Sequence, residues 1–208
     1  MKKSGLLVAV LLVTFAKAAS ADIIVTLDSV GQDPSNPSLI DWIYRAELQP
    51  SQFLTAGTVL EEGTDFFTVY DFPNIVNAQF NLSKDPLVDV AGRSFTLTQQ
   101  ATGLTSPLVG GTPDDPAVGN VSVSLSGGGD IVPTGNAITL GNLIIQTTTD
   151  AGVLGWFSGS GHNIAFPQPP QGNSGRVLVA VPEPGSLPLM LVGLVAVGAL
   201  AFRRKSLG

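Results

Sequence analysis

Ile40-Asp-Trp-Ile-Tyr-Arg-Ala-Glu-Leu48 is the stretch whose pattern decides the fold. Ile40, Trp42, Tyr44, Ala46 and Leu48 alternate with Asp41, Ile43, Arg45 and Glu47, a period of two rather than 3.6. A strand sends successive side chains to opposite faces, so this pattern predicts one apolar face and one largely polar face on a half-buried strand. Trp42 and Tyr44 fall on the apolar side, where core packing is a better account of them than a sugar-stacking pair.

The same period recurs on both sides of that stretch. Ile23–Leu27 is rich in β-branched residues, Phe66–Phe72 is aromatic and closed by Pro73, and Phe95 and Leu97 share a face within Arg93–Thr98. Val121, Val123 and Leu125 alternate with serines, Ile138–Thr147 carries an apolar Leu143-Ile144-Ile145 run, and Arg176–Val181 is a last strand. Short strands are expected around Phe53-Leu54 and Leu154–Phe157, while Ile75–Leu82 fits either a strand or a helical turn. Gly31–Pro37, Gln99–Gly119 and Gly159–Asn163 have loop composition, and Gly127-Gly128-Gly129-Asp130 is a turn. No amphipathic helix is apparent between Asp22 and Val181. The expectation is an all-β, antiparallel β-sandwich, jelly-roll-like, of about eight to ten strands. If the last strand lies beside the first, the two ends of the domain meet and the C-terminal tail leaves from the edge of a sheet.

Charge is distributed unevenly. The 208-residue chain has a net charge of −6, but its basic residues concentrate at the two ends. Between Asp22 and Val181 only Arg45, Lys84, Arg93 and Arg176 stand against fifteen acids, a net charge of −11. Nucleic acid is excluded as a partner, because its recognition depends on clustered Lys and Arg. There is no cysteine, hence no disulfide, thiolate metal site or cysteine nucleophile. The one histidine, His162, sits near Ser158 and Ser160, but sequence neighbours do not make a catalytic triad, and no nucleophile elbow, phosphate loop or zinc motif is present. The chain reads as non-enzymatic, with no cofactor required. Asp114 and Asp115 in the long loop and Asp130 in the glycine turn are weak Ca²⁺ candidates, since calcium takes carboxylate and carbonyl oxygens. Their spacing matches no calcium-loop motif.

Both termini read as processing segments. Met1-Lys2-Lys3, the apolar Gly5–Phe15 and the small residues Ala19 and Ala21 predict a signal peptide over residues 1–21, cut by signal peptidase before Asp22. At the other end stand Val181-Pro182-Glu183-Pro184-Gly185-Ser186, an uncharged run from Leu187 to Phe202, and Arg203-Arg204-Lys205. The two prolines fix φ near −65° and favour an extended peptide around Glu183. As a helix the sixteen-residue run would cover roughly 24 Å, slightly short of a ~30 Å bilayer core. It is expected to be a single transmembrane helix, with the basic cluster as a stop on the cytoplasmic side. The domains are therefore 1–21 signal peptide, 22–180 ectodomain and 181–208 tail.

These last 28 residues closely resemble the PEP-CTERM sorting signal of bacterial exported proteins. The resemblance implies that Pro182, Glu183 and Pro184 are recognised in a substrate and are not catalysts. It implies processing by an exosortase-type membrane transpeptidase, and a Gram-negative setting with exopolysaccharide or biofilm systems, exopolysaccharide being a further partner. The expected route runs through an inner-membrane intermediate, with the ectodomain outside the cytoplasm, to the cell surface or extracellular matrix. The alternative is a surface-displayed carbohydrate- or Ca²⁺-binding module, which an exposed Trp42 or Trp156 lining a groove would favour.

Overall fold

The computed structural model describes residues 23–57, 65–105, 112–165 and 170–181. The signal-cleavage residues Ala19, Ala21 and Asp22, the motif Pro182-Glu183-Pro184, the apolar run and Arg203-Arg204-Lys205 lie outside the described residues.

Ten strands are present, and no helix occurs among the described residues. They are β1 (Ile23–Gln32), β2 (Ile40–Leu48), β3 (Gln52–Phe53), β4 (Phe66–Phe72), β5 (Asn77–Leu82), β6 (Ser94–Gln100), β7 (Gly119–Gly127), β8 (Ile138–Thr147), β9 (Gly152–Asn163) and β10 (Gln171–Ala180). One antiparallel sheet has the order β1-β2-β8-β5; the other has β10-β9-β4-β7-β6, with β3 added beside β9. Strand β2 follows its sequence pattern: Trp42, Tyr44, Ala46 and Leu48 are buried while their alternate neighbours are half-buried. From the facing sheet, Phe72 meets Trp42 edge-on at 5.7 Å and Tyr44 at 6.1 Å, and Phe67 meets Phe80 at 5.7 Å. One apolar core thus lies between the two sheets and draws on both.

One open reading is settled and two expectations change. Ile75–Leu82, open between strand and helical turn, contains strand β5 paired to β8. Gly159–Asn163 is not a loop but the second half of β9, paired with β10, β4 and β3. Gly159 admits a close neighbour there, since a Cβ on it would stand 3.0 Å from Ile23 Cβ. The two ends of the domain do not meet. Asn173 Nδ2 donates to the Ile23 carbonyl (2.9 Å), which places the start of β1 against the start of β10. Val181 lies eight residues further along an extended chain, roughly 27 Å away. The tail does leave from a sheet edge, because β10 is the terminal strand of its sheet.

The outer face of the β10-β9-β4-β7-β6 sheet is covered as well. Thr68, Ser122, Ser124, Ser158 and Ser160 are all buried. Thr68 Oγ1 and Ser122 Oγ share a hydrogen bond (2.7 Å), and Ser158 Oγ donates to the Leu104 carbonyl (3.1 Å). Tyr70 Oη donates to the same carbonyl and also reaches Thr105 Oγ1 (2.9 Å) and Ser158 Oγ (2.7 Å). The segment after β6 is thereby fastened over the sheet by polar contacts. Gly103 allows this approach, for a Cβ there would stand 2.4 Å from the Tyr70 ring.

Candidate functional site

The second half of strand β10 is Arg176-Val-Leu-Val-Ala180, whose odd members Val177 and Val179 enter the core. Val181 N donates to the Ala151 carbonyl (2.8 Å), so the ladder with β9 holds up to the residue before Pro182. In an antiparallel pair, bonded and non-bonded positions alternate, so Leu178 turns its backbone groups away from β9 toward the open edge. The hydroxyl of Tyr44 reaches across from the other sheet and donates to that outward Leu178 carbonyl (2.7 Å). Burial holds the Tyr44 phenol far above its ordinary pKa, so it remains a donor. The sheet edge that delivers the tail is therefore pinned from both sides.

The two tryptophans differ in exposure. Trp42 is 1 % exposed, with its indole N–H donated to the Thr149 carbonyl (3.0 Å). Trp156 is half-buried, and the Arg176 guanidinium lies 4.3 Å from its ring centroid. Trp42 is thereby removed from any sugar-stacking surface, while Trp156 keeps a partly exposed ring beside the Arg176 guanidinium.

Asp130 lies apart from the other two candidate calcium ligands. Asp114 Oδ2 accepts from Gly103 N (2.9 Å) and its Oδ1 from Asn120 Nδ2 (2.9 Å), so it fastens the covering segment. Asp115 Oδ1 accepts from Ala117 N (2.9 Å), and Asp115 N donates to Asp71 Oδ1 (2.7 Å). Asp71 occupies the left-handed region (φ 53°) at an irregularity in the β4–β7 register, and burial together with the charges of Asp114 and Asp115 raises its carboxyl pKa. Asp130 lies elsewhere, in the turn whose carbonyls at Gly128 and Asp130 accept from Arg93 Nη2 (3.0 and 3.1 Å). Among the described residues no group of three or more His, Cys, Asp or Glu side chains is placed to hold a metal ion.

One pairing was invisible in the sequence. His162, at the end of β9, meets Asp65 through Nδ1 and Oδ2 at 2.9 Å, and Phe53 stacks on the imidazole at 5.1 Å. Asp65 Oδ2 also accepts from Thr55 N (2.5 Å). Asp65 is fully buried and His162 is 5 % exposed. The arrangement matches the acid–base half of a triad, but Ser158 is engaged by Tyr70 and Leu104. Burial is the main cause that raises the Asp65 pKa to about 6, against the opposing Thr55 hydrogen bond and His162 contact. Between its ordinary 3.8 and about 6 the folded chain retains a proton that the unfolded chain releases. Stability from this group is therefore full below pH 3.8 and lost as pH rises through about 6, on the order of 3 kcal/mol in all. Asp65→Asn is expected to flatten the slope of thermal stability across that window. A slope identical to the parent's would assign it to other groups.

No curated protein and no solved structure matches the chain significantly. A family model does: residues 180–205, beginning at the last residue of β10, match the PEP-CTERM protein-sorting motif, so the edge strand described above leads directly into a sorting signal of exported proteins handled by exosortase-type machinery.

Proposed function

We propose that the chain is a non-enzymatic exported cargo protein. A signal peptide over residues 1–21 starts its export, and the Pro182-Glu183-Pro184 signal hands its β domain to a transpeptidase for delivery to the cell surface or extracellular matrix. The observation that carries this reading is the match over residues 180–205 on a chain whose last strand holds its ladder to Val181. A rigid domain ending immediately before the signal offers the processing enzyme a peptide with a fixed point of origin. The apolar run keeps that peptide at the bilayer until it is cut, and the net charge of −11 between Asp22 and Val181 suits a hydrated polymer matrix.

The test is the intact mass of the mature protein from an exosortase-containing host. A chain starting at Asp22 and lacking Arg203-Arg204-Lys205 is expected. Mature protein that keeps this basic end, with unchanged mass in a host without the transpeptidase, would overturn the reading.

A further inference from the structure

Eight large apolar residues are strongly exposed among the described residues, and three of them, Val153 (49 %), Leu154 (59 %) and Leu178 (42 %), crowd the point where the tail leaves. Leu154 and Leu178 are direct cross-strand partners and so share one face; Val153 faces Val179 one step closer to the exit. On that shared face the next pair inward is Trp156 and Arg176, stacked at 4.3 Å. The order from the exit is thus leucine pair, then tryptophan with arginine. Apolar side chains nearest the bilayer, followed by an indole and a cation with an aliphatic stem, is the sequence of chemistries met in crossing from acyl chains to headgroups.

Reach supports the same occupant. Five residues, 182–186, separate Val181 from the apolar run, a span of about 17 Å when extended. Leu154 and Leu178 stand three residues from Val181 along the ladder, about 10 Å. A tail inserted in a bilayer therefore keeps this corner within contact range of the surface.

We propose that the Leu154/Leu178/Trp156/Arg176 corner rests on the surface of a phospholipid bilayer and seats the domain over its own inserted tail. Charge selects the lipid. Arg176 is one of four basic residues in the domain, while Asp150 adjoins the corner, Asp71 lies near the end of β4, and Asp114 and Asp115 stand in the loop before β7, beside Asp71. Contact is expected with zwitterionic headgroups and is weakened by anionic ones at low salt. This rests on the reading of residues 187–202 as a membrane span.

The absence of cysteine makes the test clean. Full-length chains carrying Leu154→Cys, Leu178→Cys, Val76→Cys, Val90→Cys or Ser206→Cys are inserted into phosphatidylcholine/phosphatidylethanolamine vesicles and labelled with a membrane-impermeant maleimide. Ser206→Cys labelling only after the vesicles are opened establishes that the tail spans. With that met, labelling at 154 and 178 is expected to be about tenfold slower than at 76 and 90, and to recover when phosphatidylglycerol is added at low salt. Equal rates at all four positions in a spanning chain overturn the proposal and leave the span intact. Ser206→Cys labelling in closed vesicles overturns the span and the proposal with it. Disulfide-linked dimers of Leu154→Cys would assign the corner to a second copy of this chain and also overturn it.

Discussion

Replacing Pro182, Glu183 and Pro184 together by alanine is expected to leave the precursor uncut at its C-terminus, its mass unchanged and its location fixed at the membrane. Each proline removes conformational freedom that an alanine restores, at about 0.4–1 kcal/mol per position. A carboxylate such as Glu183 contributes about 1.5–3 kcal/mol through charge-assisted hydrogen bonds in a receptive groove. Together these come to about 2.3–5 kcal/mol, so processing should slow by roughly fortyfold or more. Glu183→Gln keeps the stiffness and most of the shape and should slow it by about tenfold, separating charge from preorganisation. Intact-mass spectrometry of the membrane and extracellular fractions reads both variants. The domain ladder closes at Val181 N, before the substituted residues, so thermal stability should not change. Normal processing of the triple variant would remove Pro-Glu-Pro from the recognition step.

The sheet pattern was legible because burial on one face writes itself into alternate residues. Trp42, Tyr44, Ala46 and Leu48 are buried in the order their spacing implies, and β8 has the bounds read from Ile138–Thr147. Alternation says nothing of a second layer, however. The serines between Val121, Val123 and Leu125 look solvent-facing, yet Ser122 and Ser124 are buried. The Thr68 hydroxyl beside Ser122 and the Tyr70–Leu104 contact come from segments tens of residues away, and a buried hydroxyl that finds a partner has no apolar signature. The second half of β9 was lost for a related reason: Gly159 and Gly161 read as loop, whereas Gly159 accommodates close packing against Ile23.

The candidate site was legible only in its covalent order. Pro182-Glu183-Pro184, the apolar run and the basic end are contiguous, so chemistry and position coincide. Asp65 and His162 are 97 residues apart, and their partnership depends on β3, β4 and β9 being assembled first. The calcium candidates illustrate the converse. Asp114 and Asp115 are adjacent in sequence, but their oxygens accept from different backbone and side-chain donors, Gly103 and Asn120 for one, Ala117 for the other.

Trp42→Ala is expected to cost about 4 kcal/mol, the range for emptying a large aromatic from a packed core. Trp42 is 1 % exposed, stands edge-to-face with Phe72, and donates its indole N–H to Thr149. The location matters as much as the size. Thr149 lies in the connection from β8 to β9, and a Cβ at Gly152 would come within 3.1 Å of both the Trp42 ring and Leu178. Gly152 is the partner of Ala180, and Ala151 holds Val181. The indole thus supports, from inside the sandwich, the strand ends from which the tail departs. Trp42→Phe keeps the edge contact with Phe72 and loses the hydrogen bond, and should cost about 1–2 kcal/mol. Urea unfolding measures both costs. Amide exchange of Val179 and Val181 in the native state reads the local consequence: faster exchange in Trp42→Phe at these residues than at Val123, in the distant β7, is expected. Uniform protection in that variant would mean that the exit is held by the β9–β10 ladder alone, and that Trp42 stabilises the sandwich without reference to the tail.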